Sequence, residues 1–108
     1  MEEQALTEQV IACAMKVHSA LGPGLLESAY EACLAYELSK NNLRFGKQIE
    51  CPLSYQGIKI DAGFRIDILV EEKIVLELKS VEKLNALHQA QLLTYLKLTG
   101  LNIGLLIN

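Results

Sequence analysis

The sequence predicts a mixed α/β domain, a mixed β-sheet flanked by helices, in the order α-α-β-β-β-α-β. Three observations support this. Apolar residues in the first forty positions recur at helical spacing. From Phe45 onward the period drops to two. A last helical segment, Ala86 to Thr99, is followed by a short apolar strand, Ile103 to Ile107. A strand reached through a helix is expected to lie parallel to an earlier one, by a right-handed crossover.

Thr7 reads as the N-cap of a first helix running to about Leu21. Val10, Ile11, Ala14, Val17, His18 and Leu21 form its apolar stripe. Gly22-Pro23-Gly24 ends it, because glycine permits the turn and proline cannot continue a helix. The second helix runs from about Leu26 to Lys40, stopped by Asn41-Asn42. Phe45 to Tyr55 reads as a strand interrupted or bent at Pro52. Gln56-Gly57 turns the chain, and Ile58 to Val70 continues extended, bent near Gly63. Ile74 to Lys79 is the next strand, and Gly100 caps the last helix.

At 108 residues the chain is one domain, 1–108, with 51% hydrophobic residues and room for a real core. No apolar run approaches the roughly 20 residues that span a bilayer. The first residues, Met1-Glu2-Glu3-Gln4, are acidic and polar, unlike a secretory signal. Cys13, Cys33 and Cys51 are too widely spaced for a C-x-x-C motif and read as free thiols in a reducing cytoplasm. The net charge is −3, and the ten basic residues are scattered without a basic stripe. That argues against tight, autonomous nucleic-acid binding. It leaves local clustering, a metal or a partner to supply affinity.

Arg65-Ile66-Asp67-Ile68-Leu69-Val70 and Ile74-Val75-Leu76-Glu77-Leu78-Lys79 both read as buried strands, yet carry Asp67, Glu77 and Lys79. Unpaired charges in a buried strand cost several kcal/mol, so the hairpin holds either an ion-pair network or a metal. Side chains alternate, so Glu77 and Lys79 share one face and Leu76 and Leu78 the other. If Val70 pairs with Ile74 across Glu71-Glu72-Lys73, Asp67 falls opposite Glu77, with Cβ atoms roughly 4.5–5.5 Å apart. A divalent cation would relieve the repulsion of two such carboxylates. A one-residue slip would put them on opposite faces, and the turn lacks the glycine that would secure it.

Other residues could join this site. Glu27 and Tyr30, three apart, share a face of the second helix, although a first-turn Glu also suits the helix dipole. His88, Gln91 and Tyr95 form a polar stripe on the last helix, which would equally suit a solvated edge. No second His or Cys is spaced with His88, which reads as a surface or supporting residue, not a ligand.

Together these residues resemble the PD-(D/E)XK nuclease superfamily, and within it the small GxxExxY family. The motifs stand as Gly24-x-x-Glu27-x-x-Tyr30, as Asp67 followed by Glu77-Leu78-Lys79, and as Gln91-x-x-x-Tyr95, the QxxxY helix of RecB-like and Cas4-like relatives. The proline of the PD pair is replaced by Ile66. The resemblance spans nearly the whole chain. It implies a restriction-endonuclease-like core and metal-dependent phosphodiester cleavage of DNA, or of RNA. It further implies that Asp67, Glu77 and the Leu78 carbonyl hold Mg²⁺ or Mn²⁺, with Glu27 contributing directly or through water. Lys79 would orient or activate the attacking water. Gln91 would join the catalytic set, with Tyr30, His88 and Tyr95 binding substrate or supporting the site. The sequence stops at Asn108 directly after an apolar strand, which points to a shortened sequence or an exposed edge; members run somewhat past this point, which supports the shortened sequence. The competing readings are a non-catalytic module of the same fold, binding a partner or nucleic acid, and a structural protein with a buried ion-pair network. A homo-oligomer is compatible with the sequence but not shown by it.

Overall fold

The computed structural model describes residues 2–108. Two helices, α1 (Glu3–Leu21) and α2 (Glu27–Lys40), lead into five strands. These are β1 (Phe45–Glu50), β2 (Leu53–Tyr55), β3 (Ile58–Ile60), β4 (Arg65–Val70) and β5 (Ile74–Leu78), followed by α3 (Ala86–Thr99) and β6 (Ile103–Ile107). The main sheet has the order β1-β4-β5-β6. Its pairs are antiparallel except β5 with β6, which is parallel, as a strand reached through a helix should be.

The mixed α/β class holds, but each of the first two expected strands divides at its bend. Phe45 to Tyr55 becomes β1 and β2 around Cys51-Pro52, and Ile58 to Val70 becomes β3 and β4 around Asp61 to Phe64. Gly63 takes φ +78 there, and its amide donates to Asp61 Oδ1 at 3.0 Å. The halves between the bends pair with each other as a separate two-stranded ribbon, Leu53 with Ile60 and Tyr55 with Ile58. Gln56 and Gly57, both at positive φ, make its turn.

The start of α1 also differs. The helix begins at Glu3, and the Thr7 hydroxyl donates to the Glu3 carbonyl at 2.7 Å, so Thr7 lies inside the helix and is not its N-cap. The buried stripe is Leu6, Val10, Cys13, Ala14 and Val17. Ile11, His18 and Leu21, expected in that stripe, are exposed. Starting one turn earlier admits Leu6, which with Val10, Cys13 and Ala14 joins the core against the sheet.

Side chains from the two faces of the sheet feed two cores. On one face, α1 and α2 bury Leu6, Val10, Leu34 and Leu38 against Ile68, Val70, Ile74, Leu76 and Leu78. On the other, Leu92, Tyr95 and Leu96 of α3 pack against Ile66, Leu69 and Val75. Gly104 of β6 lets α3 approach, since a Cβ there would lie 2.8 Å from Leu92 Cδ1. β5 is therefore covered on both faces and all five of its residues are buried. Each buried Val, Leu or Ile contributes roughly 1.5–3 kcal/mol. The hydrophobic strand can thus carry one costly charge, Glu77. No helix among the described residues is long and apolar enough to cross a membrane.

Candidate active site

β4 and β5 pair through Val70 with Ile74, Leu69 with Val75 and Ile68 with Leu76, the register that sets Asp67 opposite Glu77. Beyond Ile68 and Leu76 side chains take over from the ladder. The Leu78 amide donates to Asp67 Oδ2 at 2.8 Å, and the Asp67 amide lies 3.3 Å from Glu77 Oε1. Each acid accepts a main-chain hydrogen bond from the strand that carries the other. The turn holds the register without glycine. Glu71 and Glu72 sit at φ 53 and 55, and the Lys73 amide donates to the Val70 carbonyl at 2.9 Å. The strain is offset by a clamp from Arg44, whose amide and Nε donate to Glu71 Oε2 at 2.7 and 3.2 Å. The Glu71 amide answers with a bond to the Arg44 carbonyl at 2.8 Å.

Glu77 is only 5% exposed. Burial first, and then the negative charge of Asp67, push its carboxyl up to about 7. Glu27 adds to the rise, while the Asp67 amide and the Lys79 charge oppose it. Lys79 extends the β5–β6 pairing, its amide donating to the Ile107 carbonyl at 2.8 Å. Its ammonium is in none of the ion pairs among the described residues; those join Lys16 and Lys40 to Glu37, Arg44 to Glu71, and Arg65 to Glu50. Among the described residues, buried Glu77 and half-buried Asp67 are thus not neutralised by the direct ion pair that a structural network would need.

Glu27 is the first residue of α2, and its Oε2 accepts from the Ser80 amide at 3.2 Å. The Ser80 hydroxyl donates to the Leu25 carbonyl at 2.7 Å. These bonds fasten the start of α2 to the residue after Lys79. Gly24, at φ +87, provides the turn that leads into them. Tyr30 hydrogen-bonds to α1: its hydroxyl donates to the Ala14 carbonyl at 3.0 Å, tying α2 to α1, and burial raises its pKa. A cleft of about 510 Å³ runs alongside, lined by His18, Gly24, Glu27, Tyr30, Lys79 and Ser80 among others. Asp67 and Glu77 lie outside its lining.

On the opposite face Tyr95 packs edge-on against Phe64, with ring centroids 5.9 Å apart. Its pKa is raised by burial, and then by the nearby charge of Glu77. Gln91, one turn earlier, is exposed and hydrogen-bonds to none of Asp67, Glu77 or Lys79. His88 closes a capping box at the start of α3: its Nδ1 accepts from the Asn85 amide at 3.1 Å, and its own amide donates to Asn85 Oδ1 at 3.2 Å. It therefore serves the helix end.

The family model described as the PD-(D/E)XK nuclease superfamily matches residues 4–108. The chain belongs to the PD-(D/E)XK nuclease superfamily. No curated protein and no solved structure matches it. Members are usually phosphodiester hydrolases that act on nucleic acid with divalent metals such as Mg²⁺ or Mn²⁺.

The donor set here fits such an ion. Among the described residues no three His, Cys, Asp or Glu side chains cluster as ligands for one ion. Two hard carboxylates, one of them buried and raised in pKa by that burial and then by the other, suit a small cation that uses one or two carboxylates and keeps several waters.

Two residues of this PD-(D/E)XK site escaped the sequence reading. Gln48 of β1 puts its Nε2 2.8 Å from Glu31 Oε2 and 3.4 Å from Asp67 Oδ1. Glu31 lies four residues after Glu27, a spacing that could have flagged it; nothing in the sequence pattern flags Gln48.

Proposed function

We propose that this protein is a divalent-metal-dependent nuclease of the GxxExxY type, hydrolysing phosphodiester bonds of DNA, with RNA as the alternative substrate. The observation that carries the reading is the pair Asp67 and Glu77. They are opposed across the hairpin, fixed by main-chain amides and, among the described residues, in no ion pair. Asp67 and Glu77 would hold Mg²⁺ or Mn²⁺, with the Leu78 carbonyl as a third oxygen and Glu27 adding negative charge nearby. Bound there, the ion would supply Lewis-acid stabilisation of the phosphate and a more acidic water. Lys79, on the same strand face as Glu77, orients the attacking water and offsets charge developing on the phosphoryl oxygens. Water adds to phosphorus as the ester oxygen leaves. Tyr95 shields the acids on the α3 side, and Gln91, exposed one turn before it, contacts the nucleic acid. Glu27, by anchoring Ser80, holds the end of β5 and thus the root of Lys79. The net charge of −3 implies that substrate is held locally at the site and not by a general basic surface.

The test is incubation with single-stranded, double-stranded and branched DNA and with RNA, with and without Mn²⁺. Cleavage should need the metal and disappear in Asp67→Ala and Lys79→Ala. Cleavage that survives both substitutions would belong to a contaminant, and calorimetry showing no binding at millimolar metal would leave a non-catalytic module.

A further inference from the structure

Gln48 faces Asp67 from the neighbouring strand. The β1–β4 ladder pairs Lys47 with Ile68 and Ile49 with Ile66, and skips the pair between them. At the gap Gln48 takes φ +52, in the left-handed region. A non-glycine residue held there costs about 1–3 kcal/mol, and such strain concentrates at functional sites. The distorted residue makes one amide reach two acids, at 2.8 Å to Glu31 and 3.4 Å to Asp67. A primary amide nitrogen carries two hydrogens, one for each carboxylate. The reverse orientation would turn Oε1 onto both negative groups, so electrostatics selects the donor. The Leu78 amide already holds Asp67 Oδ2. Both oxygens of Asp67 are therefore tethered, one from each flanking strand, and each keeps lone-pair capacity.

We propose that Gln48, braced by Glu31, is a positioning residue that orients Asp67 for a divalent cation. This rests on the metal-dependent reading of the site and adds to it two residues outside the superfamily signature. Gln48 acts through Asp67. Its neutral donor separates two carboxylates that would otherwise repel, without introducing a cation that would compete with the metal.

Glycine is the informative replacement, because it accepts φ +52 without strain. In calorimetric titrations of the whole chain with Mn²⁺, Gln48→Gly should weaken binding on the order of tenfold, as removal of a residue behind a metal ligand does. Its thermal midpoint should stay at or above that of the unsubstituted protein. Glu31→Ala should weaken Mn²⁺ binding less, and add nothing in the Gln48→Gly background, because Glu31 works only through the amide. Unchanged Mn²⁺ affinity in Gln48→Gly would overturn the proposal. So would weaker binding accompanied by a clear fall in midpoint, which would make Gln48 a plain tie between β1 and α2. An unsubstituted protein that binds no Mn²⁺ is a different result; it removes the nuclease reading and this inference with it.

Discussion

Leu78 donates its backbone amide to Oδ2 of Asp67, 2.8 Å away, across two strands whose regular ladder ends two residues earlier on β5. The bond ties the orientation of one acid to the strand that carries the other acid and the lysine. Main-chain geometry, not a closed cage of side chains, shapes the donor set.

Lys79 should matter to chemistry more than to metal binding. It sits beside the acids without an ion pair, so Lys79→Met removes charge stabilisation of the phosphate but no ligand. Cleavage should fall on the order of 10²–10³-fold. Mn²⁺ affinity by calorimetry should hold or rise slightly, since a positive charge has left the site. Equal cleavage rates in the two proteins would exclude Lys79 from the mechanism.

Stability without metal should fall as pH rises through the range in which Glu77 ionises. Its carboxyl is about 7 when folded, against an ordinary value of 4.5. Between these values the folded state keeps a proton that the unfolded chain has released. Unfolding free energy therefore declines from about pH 4.5 and levels off above about 7. Thermal melts in chelator from pH 5 to 8 should show the decline, and Glu77→Gln should remove most of it. Deprotonation also frees the ligand, so Mn²⁺ should bind more tightly across the same interval. A flat difference between the two proteins' melting profiles would contradict this origin.

The contact between α3 and β6 leaves no room at Gly104. In Gly104→Ala the new Cβ would lie 2.8 Å from Leu92 Cδ1 and 3.1 Å from its Cγ. Such overpacking costs about 1–3 kcal/mol. Denaturant unfolding should register that loss, and Leu92→Ala in the same chain should recover part of it. Additive losses would place the cause elsewhere.

The register of the central hairpin could be read ahead of the structure because a three-residue turn, Glu71-Glu72-Lys73, pairs Val70 with Ile74 and so sets Asp67 opposite Glu77. Helix bounds were less legible. Thr7 looks like a cap, but Leu6 can be buried only if the helix starts earlier, and tertiary packing prevails. His88 resembles a site residue by spacing with Gln91 and Tyr95, yet its imidazole is engaged by Asn85. A capping box needs both local dihedrals, which composition does not reveal.

From the sequence alone came the mixed α/β class, the parallel last strand and the opposition of Asp67 to Glu77. These follow from periodicity and from pairing across a short turn, both local along the chain. The tertiary structure alone decided the separate β2–β3 ribbon, the anchoring of Glu27 on Ser80, and the bridge from Glu31 through Gln48 to Asp67. Those partners lie 53, 17 and 19 residues apart. Their meeting depends on how the helices settle on the sheet and on one strained backbone angle, and neither leaves a repeating pattern in the chain.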